Sequence, residues 1–330
     1  MRRDTFMSRR LLSWGIILVI FSVLMSACAS GSNKEANTTT AKEQATATKV
    51  VKDYFGEVTV PTKPKNVLLL SSIYAEYLIE MGVPPQMVIF VPEVEPDYRA
   101  PYFEKNGVQM IEAEQYQYNY EQLLSLSPDL IVGIGVGMEP GTYEELSKIA
   151  PTVAINADSE MKTAMPELAS IFDKTETSKQ VLTAFDAKAK QAREQIQQAI
   201  GDKTVLILRV ESERYRVMGP KAANSSAFFY QTLGLHSPEA IKDSTDWFSP
   251  ISLEALPDMN PDYIFVEDRI LKDHDNTESM KKLKENKVWA SLTAVKNDHV
   301  FPLKTSDFVH GVGPVGSVLL MNNVVEKLVK

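Results

Sequence analysis

One segment of the sequence occurs twice, and this duplication constrains the fold more than any other feature. The first copy begins Asn119-Tyr-Glu-Gln-Leu and continues at Pro128 as Pro-Asp-Leu-Ile-Val. The second begins Ser252-Leu-Glu-Ala-Leu and continues at Pro261 as Pro-Asp-Tyr-Ile-Phe-Val. The spacing from glutamate to proline is seven residues in both copies. The two halves of the chain are therefore predicted to contain the same structural unit.

Each copy has the pattern of a capped helix followed by a buried strand. Asn119 and Ser252 are good N-cap residues, and Glu121 and Glu254 lie in the first turn, where the helix dipole favours a negative charge. The Pro-Asp pair then ends the helix and precedes an apolar run. From these residues alone, the glutamates can be read simply as residues that stabilise helix starts.

The rest of the chain alternates short apolar runs with helix-like segments. This alternation predicts an α/β fold with a mainly parallel sheet. Predicted strands in the first half are 67–70, 87–91, 129–134 and 152–155, with helices at 72–81, 119–126 and 142–149. In the second half, strands are predicted at 204–210, 215–218, 263–266 and 300–303, with helices at 224–233 and 315–330.

A long helix is predicted between the two halves. Residues 174–200 contain no Gly or Pro, their apolar residues recur at helical spacing, and Gly201 supplies a stop. At 1.5 Å per residue such a helix is about 39 Å long. It is predicted to be a rigid rod between two lobes, although a long packing helix within a single domain would have the same pattern.

The N-terminus has the pattern of an export signal. Arg2, Arg3, Arg9 and Arg10 precede a short apolar run, and small residues lead into Cys28, the only cysteine. This is typical of a cleaved signal peptide over 1–27, with lipid attached to Cys28, although Met25 stands where Leu is usual. An uncleaved anchor is the alternative.

Composition limits what the exported part can be. Residues 28–49 have no aromatic and no branched aliphatic residue, so we expect a flexible tether there. Removing residues 1–27 removes four Arg and one Asp, so the net charge of −8 becomes −8 − 3 = −11. An acidic chain of this kind is a poor candidate for binding nucleic acid.

The duplicated segment, the long helix and the late Gly313-Pro314 before a terminal helix resemble the substrate-binding lipoproteins of ABC importers, within the group that serves ferric siderophores, haem and vitamin B12. The resemblance covers about residues 50–330. It implies two Rossmann-like lobes, 50–173 and 202–330, joined by the helix 174–201, with the ligand in the cleft between them. It further implies a monomer without a cofactor, lipid-anchored on the extracytoplasmic face of the cell membrane. The partner would be a permease dimer with its ATPase, and Glu121 and Glu254 would dock into the permease.

Ligands of parallel α/β sheets collect beyond the carboxyl ends of the strands, so the residues that follow strands are the candidate ligand contacts. They are mostly arginines and aromatic residues, which suit a bulky anion with flat faces. The candidates are Tyr74, Tyr98, Arg99, Tyr116, Arg209, Arg214, Tyr215, Arg216, Trp247, Arg269 and His310. Arg209 and Arg216 are the first choices as anion clamps, whereas Arg214 is as readily a solvated surface residue.

A ferric siderophore is such an anion, and its own oxygens satisfy Fe³⁺, so no protein metal ligand is required. Members of the group that bind citrate-type siderophores often have Arg just before the first repeat, where this chain has Gln115-Tyr116-Gln117. Hydroxamate and mixed siderophores therefore stay open. Haem is an alternative, because Tyr or His can ligate it, and vitamin B12 is a weaker one.

Other classes of function find little support. Gly311-Val-Gly-Pro-Val-Gly316 matches a dinucleotide-binding pattern by its letters, but it contains Pro and leaves no room for a βαβ unit. The four His lack the spacing of metal ligands. No nucleophile–base pair is found, so we expect no catalysis. A surface-anchored hydrolase is kept as the competing enzyme hypothesis.

Overall fold

The duplicated segment forms the same connection in each half of the molecule. The computed structural model describes residues 47–115, 117–157, 160–212, 214–223, 225–269 and 276–329. In it, Ser127 and Asn260 have left-handed backbones (φ 49° and 31°) directly before the Pro-Asp pair. Each pair then leads into a buried strand.

The aspartate of each copy fastens the start of the central strand of the sheet in its half of the molecule. Asp129 accepts hydrogen bonds from the backbone N–H of Lys65 (2.7 Å) and Asn66 (2.9 Å). Asp262 accepts one from the backbone N–H of Thr204 at 2.8 Å. Because these donors precede the strands that begin at Val67 and Val205, the repeat ties together segments that are far apart in the chain.

The first half is a five-stranded sheet with helices around it. Its strands are all parallel, in the order β5-β4-β3-β6-β7. These strands are β3 (Val67–Leu69), β4 (Met87–Phe90), β5 (Gln109–Glu112), β6 (Leu130–Ile134) and β7 (Thr152–Ile155). The helices are α1 (Ser72–Glu80), α2 (Arg99–Lys105), α3 (Tyr120–Ser125), α4 (Pro140–Ile149) and α5 (Met161–Ile171).

An antiparallel hairpin precedes this sheet. It consists of β1 (Thr48–Lys52) and β2 (Glu57–Pro61). The predicted tether over 28–49 is therefore too long at its end, since Thr48 and Lys49 already pair with Pro61 and Val60. A short, half-exposed strand has too few apolar residues to stand out from the polar segment before it.

The linker helix α6 spans Thr175–Ile200, in agreement with the predicted long helix. Its buried face, which includes Phe185, Ala189, Ala192 and Ile196, belongs to the main hydrophobic core. Gly201 ends it with a positive φ of 57°. One core therefore runs beneath both sheets.

The second half is a mixed five-stranded sheet in the order β10-β9-β8-β11-β12. Its central strands are parallel, and β9 and β10 add an antiparallel edge. The strands are β8 (Val205–Glu211), β9 (Arg214–Met218), β10 (Phe248–Ile251), β11 (Tyr263–Asp268) and β12 (Val300–Lys304). The helices are α7 (Ser225–Ala227), α8 (Leu256–Met259), α9 (Thr277–Glu285), α10 (Lys287–Ser291), α11 (Thr293–Lys296) and α12 (Pro314–Leu328).

Two predictions for the second half need correction. The predicted helix 224–233 is only one short α-helical turn, which continues as a π-helical turn over Phe228–Thr232. Ser252 begins a 3₁₀ turn (Leu253–Ala255) but its side chain makes no capping hydrogen bond, whereas Asn119 accepts one from the backbone N–H of Gln122 at 3.1 Å. The second copy of the repeat thus begins with a tighter 3₁₀ turn and lacks the side-chain cap of the first copy.

Candidate functional site

Four arginines and two glutamates meet at the carboxyl edge of the second sheet. The strand register explains this meeting: Arg209 on β8 lies opposite Glu267 on β11 and opposite Arg216 on β9. Arg214 lies opposite Glu211, and Arg269 directly follows β11. We call these six residues, Arg209, Arg214, Arg216, Arg269, Glu211 and Glu267, the arginine cluster.

Arg209 and Glu267 form a buried, two-point ion pair at its base. The Nε–Oε2 distance is 2.5 Å and the Nη2–Oε1 distance is 3.1 Å. The hydroxyl of Thr305 donates a third bond to Glu267 at 2.7 Å. Burial lowers the pKa of Arg209 and the Glu267 carboxylate opposes this effect, and a guanidinium stays charged at neutral pH.

Glu211 holds the other three arginines. Its Oε1 lies 2.7 Å from Nη1 of Arg269 and 3.8 Å from Nη1 of Arg216, and its Oε2 accepts from Nε of Arg214. Burial raises the pKa of Glu211, but Arg214 and Arg269 more than offset this, so that pKa is lowered overall. Glu211 is therefore ionised at neutral pH.

The cluster carries an excess of positive charge. Four guanidinium groups face two carboxylates, a balance of +4 − 2 = +2, in a chain whose formal net charge is −8. Nε of Arg269 is buried and has no hydrogen-bond partner in the described part of the chain. Because the two carboxylates do not neutralise all four guanidinium charges, the cluster can bind an anion without first breaking one of its ion pairs.

Aromatic side chains flank the cluster. The guanidinium carbon of Arg209 lies 3.7 Å from the ring centroid of Phe248 and 5.0 Å from that of Trp247. Trp247 is 37% exposed, so it remains available to a ligand. Arg216 donates to the carbonyl oxygen of Phe248 at 2.5 and 3.1 Å, and the Tyr215 hydroxyl donates to that of Ser279 at 3.2 Å. Six of the predicted ligand contacts thus lie in one region.

Two candidates from the first half lie in the interior. Arg99 is fully buried and pairs with Glu95 (2.8 Å) and Glu76 (3.2 Å). Tyr74 is also fully buried, and its hydroxyl donates to the carbonyl oxygen of Ala157 at 3.0 Å. Both side chains are buried and already have partners, which argues against their predicted contact with a ligand. The sequence does not reveal these partners, because only the fold brings the carboxylates and the carbonyl to them.

Tyr98 and His310 lie at the junction with the final helix. The Tyr98 hydroxyl donates to Oε2 of Glu76 at 2.6 Å, and Oε1 of Glu76 accepts from the backbone N–H of Val315 at 2.6 Å. Burial, reinforced by Arg99, lowers the pKa of His310 to about 4, so it is neutral at physiological pH. Tyr116 and Cys28 are outside the described residues.

The two glutamates of the repeat are both exposed. Glu121 lies in the first turn of α3, and Glu254 lies in the 3₁₀ turn before α8. Glu254 also borders a surface groove of about 470 Å³ whose wall includes Arg214 and Tyr215. The second glutamate is therefore adjacent to the arginine cluster.

The residues that sequence reasoning missed are the acidic members of the cluster. Glu211 and Glu267 stand at the ends of the apolar strands β8 and β11. An acidic residue that ends a buried strand needs a cationic partner, and this signal was available from the sequence. Among the described residues, no group of three or more His, Cys, Asp or Glu could hold a metal ion. The described helices also include none long and apolar enough to cross a membrane.

Comparison with known proteins agrees with this architecture. The iron(3+)-hydroxamate-binding protein FhuD of Bacillus subtilis is 29% identical over 298 residues, which are 87% of this chain and 90% of that protein. The iron-uptake system-binding protein of the same organism is 26% identical over 317 residues, 95% of this chain and 98% of that protein.

Solved structures share the fold. A FhuD fold-family periplasmic binding protein component of a Fep/Fec-like ferrichrome ABC transporter from Bacillus subtilis has a TM-score of 0.70 at 27% identity, covering 85% of this chain and 100% of that one. Staphylococcus aureus SirA, solved with staphyloferrin B, also has a TM-score of 0.70; at 23% identity it supports the fold alone, over 85% of this chain and 98% of that one.

These likenesses confirm the predicted α/β fold with a long helix and two lobes. The periplasmic binding protein model matches residues 67–306, which include both sheets and the linker helix. This chain therefore belongs to the periplasmic binding protein family.

Proposed function

We propose that the chain is the substrate-binding protein of an ABC importer, and that it captures a ferric siderophore and delivers it to the permease for iron uptake. The observation that carries the proposal is the arginine cluster, with an excess charge of +2 at the carboxyl edge of a sheet. A local excess of positive charge on an otherwise acidic protein attracts anions, so the cluster is the favoured place for an anionic ligand.

The chemistry of the cluster suits a metal chelate. The oxygens of a siderophore satisfy Fe³⁺, so the protein has only to recognise the anionic periphery and the apolar faces. Guanidinium groups donate paired hydrogen bonds to carboxylate or hydroxamate oxygens. Glu211 and Glu267 hold the arginines extended before the ligand arrives, which reduces the entropy lost on binding.

The relatives support the same class of ligand. One is named as an iron(3+)-hydroxamate-binding protein, and others as petrobactin-binding and Fe(3+)-citrate-binding proteins. A hydroxamate chelate is the first candidate for this chain, because the relative at 29% identity is named for it.

Docking to the permease is assigned to Glu121 and Glu254. Both are exposed and occupy equivalent positions of the repeat, one on each lobe. Two like carboxylates on two lobes suit a permease built from two similar subunits, and the lobes are assigned to 50–173 and 202–330, on either side of the linker helix 174–201.

The protein is assigned to the extracytoplasmic face of the cell membrane, held by lipid on Cys28 after cleavage of residues 1–27. Two relatives named as lipoproteins support this assignment. The tether keeps the binder close to its permease and raises its effective concentration there.

Tryptophan fluorescence can test ligand binding directly. Of the three tryptophans, Trp14 lies in the proposed signal peptide, Trp289 is 5% exposed and Trp247 is 37% exposed. Titration of the mature chain with ferric hydroxamate, catecholate and citrate complexes and with haemin should quench Trp247 with one class at low concentration. The Trp247→Phe variant should lose most of the quenching, and the Trp289→Phe variant should retain it.

Failure of every chelate to bind would overturn the proposal. Hydrolysis of a test ester in the same preparation would then favour an anchored hydrolase. Tight binding of haemin alone would replace the siderophore by haem, with the transport role retained.

Charge reversal tests the docking residues. The double variant Glu121→Lys/Glu254→Lys should lose iron uptake in cells while the purified protein keeps its chelate affinity. The matched control reverses two other exposed glutamates, Glu104 and Glu285, and should leave uptake unchanged. A loss of chelate affinity in the first variant would contradict the docking role.

A further inference from the structure

A cavity of about 730 Å³ lies beside the arginine cluster. It is bordered by the start of α5, the middle of α6 and the segments around Phe228 and Val309. Its apolar wall consists of Met161, Phe185, Ala189, Phe228, Val309 and Val312. The volume is within the range of about 300–1,000 Å³ of pockets that enclose small organic ligands.

Two π-helical turns form part of this wall. One spans Phe228–Thr232 and the other Ser306–His310, and they contribute Phe228 and Val309. The π-helix is rare, and its single turns are found frequently at functional sites. Two such turns on one cavity indicate that the cavity has a ligand.

The cations at the rim already have partners. Lys162 pairs with Asp186 at 2.8 Å, and Lys190 lies 3.6 Å from Glu194. Arg193 donates to the carbonyl oxygens of Gln231 and Thr232 at 3.0 and 2.7 Å. Arg193 has only carbonyl partners there, but with Glu160, Asp186 and Glu194 beside Lys162, Lys190 and Arg193 the charges of the rim balance at −3 + 3 = 0. The excess of +2 at the arginine cluster attracts an anionic group more strongly than this balanced rim does, so we expect the part that enters the cavity to be uncharged.

Trp247 joins the cavity to the arginine cluster. Its ring lies over Arg209, with the centroid 5.0 Å from the guanidinium carbon, and it also lines the cavity. The indole N–H donates to the hydroxyl of Ser225, another wall residue, at 3.0 Å, which holds the ring in place between the two. One ligand can thus contact the arginines with an anionic head and fill the cavity with an apolar part.

We infer that the siderophore of this protein carries an acyl chain, which occupies the cavity while the iron chelate lies at the arginine cluster. This inference rests on the proposed function and specifies its substrate class. A free fatty acid fits less well, because its carboxylate would compete at the rim with Asp186 and Glu194, which already pair with the lysines there.

Two synthetic ferric trihydroxamates that differ only in one acyl group test the inference. The octanoyl compound should bind the mature chain at least about tenfold more tightly than the acetyl compound, since burial of several methylenes is favourable. Ala227, a half-buried wall residue, is changed to Trp to fill the cavity, and the exposed Ala223 is changed to Trp as the matched control. Ala227→Trp should abolish the preference and keep the affinity for the acetyl compound; Ala223→Trp should leave both affinities unchanged.

The outcomes separate the inference from the proposed function. Equal affinity of the wild type for the two compounds would overturn the acyl assignment and leave siderophore binding intact, whereas binding of neither would overturn both. An equal loss for both compounds in Ala227→Trp would place the chelate itself in the cavity and also overturn the inference. Competition by octanoate alone would reassign the cavity to a free fatty acid. The wild-type comparison decides the matter if Ala227→Trp does not fold.

Discussion

At the residue scale, the arginine cluster depends on two glutamates that sequence reasoning passed over. Arg209 is predicted as an anion clamp, yet it is buried against Glu267. Its side chain holds the base of the site, and the more exposed Arg214, Arg216 and Arg269 remain closer to a ligand. What each arginine contributes to the site therefore depends on which of the two glutamates it pairs with.

The buried ion pair between Arg209 and Glu267 leads to a prediction about the stability of the folded protein. Arg209→Met should destabilise the folded protein by about 3–5 kcal/mol, because it leaves the Glu267 carboxylate buried without its cation. The double variant Arg209→Met/Glu267→Gln should recover more than half of this loss, since no unpaired charge remains. Equilibrium urea unfolding measures both, and a double variant no more stable than Arg209→Met would contradict the role of the pair.

Glu211 makes a pH-dependent prediction. Its pKa is lowered in the folded protein, so its ionised form stabilises the fold above the ordinary carboxyl pKa, and this contribution is lost as pH falls through the lowered value. Glu211→Gln should cost about 1–3 kcal/mol at pH 7. The difference from wild type should shrink in acid.

Glu211→Gln also changes anion binding through two opposed effects: the arginines lose a group that holds them extended, and the excess charge of the cluster rises from +2 to +3. We expect the effect of charge to be the larger, so that the variant binds anions more tightly. Isothermal titration with the ferric hydroxamate would measure the change. Glu239→Gln, in the exposed pair with Lys242, is the control and should alter neither stability nor affinity. Weaker chelate binding by Glu211→Gln would mean that Glu211 positions the arginines more than it opposes the ligand.

At the scale of elements, the glycine-rich segment before α12 has a structural purpose. Glu76 accepts hydrogen bonds from the backbone N–H groups of Val315 (2.6 Å) and Gly316 (3.2 Å), so a carboxylate from α1 caps the final helix. A Cβ at Gly313 would overlap the Glu76 carboxylate, and one at Gly316 would overlap the Tyr98 hydroxyl and the Gly311 carbonyl. The segment resembles a dinucleotide-binding pattern because both need glycine where an acidic group lies very close to the start of a helix.

This close approach can be tested with two alanine substitutions, each in the first turn of a helix. Gly316→Ala should destabilise the protein by about 1–3 kcal/mol, because the added methyl group meets backbone that cannot move freely. Gly141→Ala, in α4, meets nothing within 4 Å and should be neutral or stabilising by up to about 1 kcal/mol. Thermal unfolding compares them, and equal effects would contradict the packing argument.

At the scale of the whole molecule, contacts between distant segments join the two halves. Lys304, at the end of β12, lies 2.5 Å from Asp97 before α2, and Glu76 reaches the final helix. With α6 on the core that runs under both sheets, these contacts limit how far the lobes move apart. We therefore expect the two lobes to change their relative position only slightly when a ligand binds.

The proposed lipid anchor on Cys28 leads to a prediction about the location of the whole protein and its uptake of iron. Cys28→Ala should release the protein from cells and strongly reduce iron uptake, while the purified mature chain keeps its chelate affinity, because the proposed ligand contacts belong to the lobes. Fractionation of cells and medium with an antibody, together with uptake of radioactive iron, measures this. Ser32→Ala is the matched control in the same segment, and full uptake by Cys28→Ala would exclude a role for lipid.

Much of the element order was predictable because it depends on local patterns. The predicted family is confirmed by the match over residues 67–306, and the ferric-siderophore function agrees with the names of the relatives. The helix α2 and the hairpin β1–β2 are not predicted because their apolar residues are few. The helix α5 has buried apolar residues at helical spacing, but Pro166 inside it argues against a helix in the sequence. Inward-facing Tyr74 and Arg99 look like surface residues beside a strand end until the fold buries them.

The sequence by itself determined the duplicated unit, most of the strands and the long helix, because each of these follows from spacing and capping within a few residues. Only the tertiary structure decided which charges meet. Arg209 and Glu267 are 58 residues apart and come together through the register of β8 and β11, and Glu76 meets Gly316 across 240 residues. Partners so distant in the chain leave no local pattern, and the arginine cluster therefore exists only once the sheet has formed.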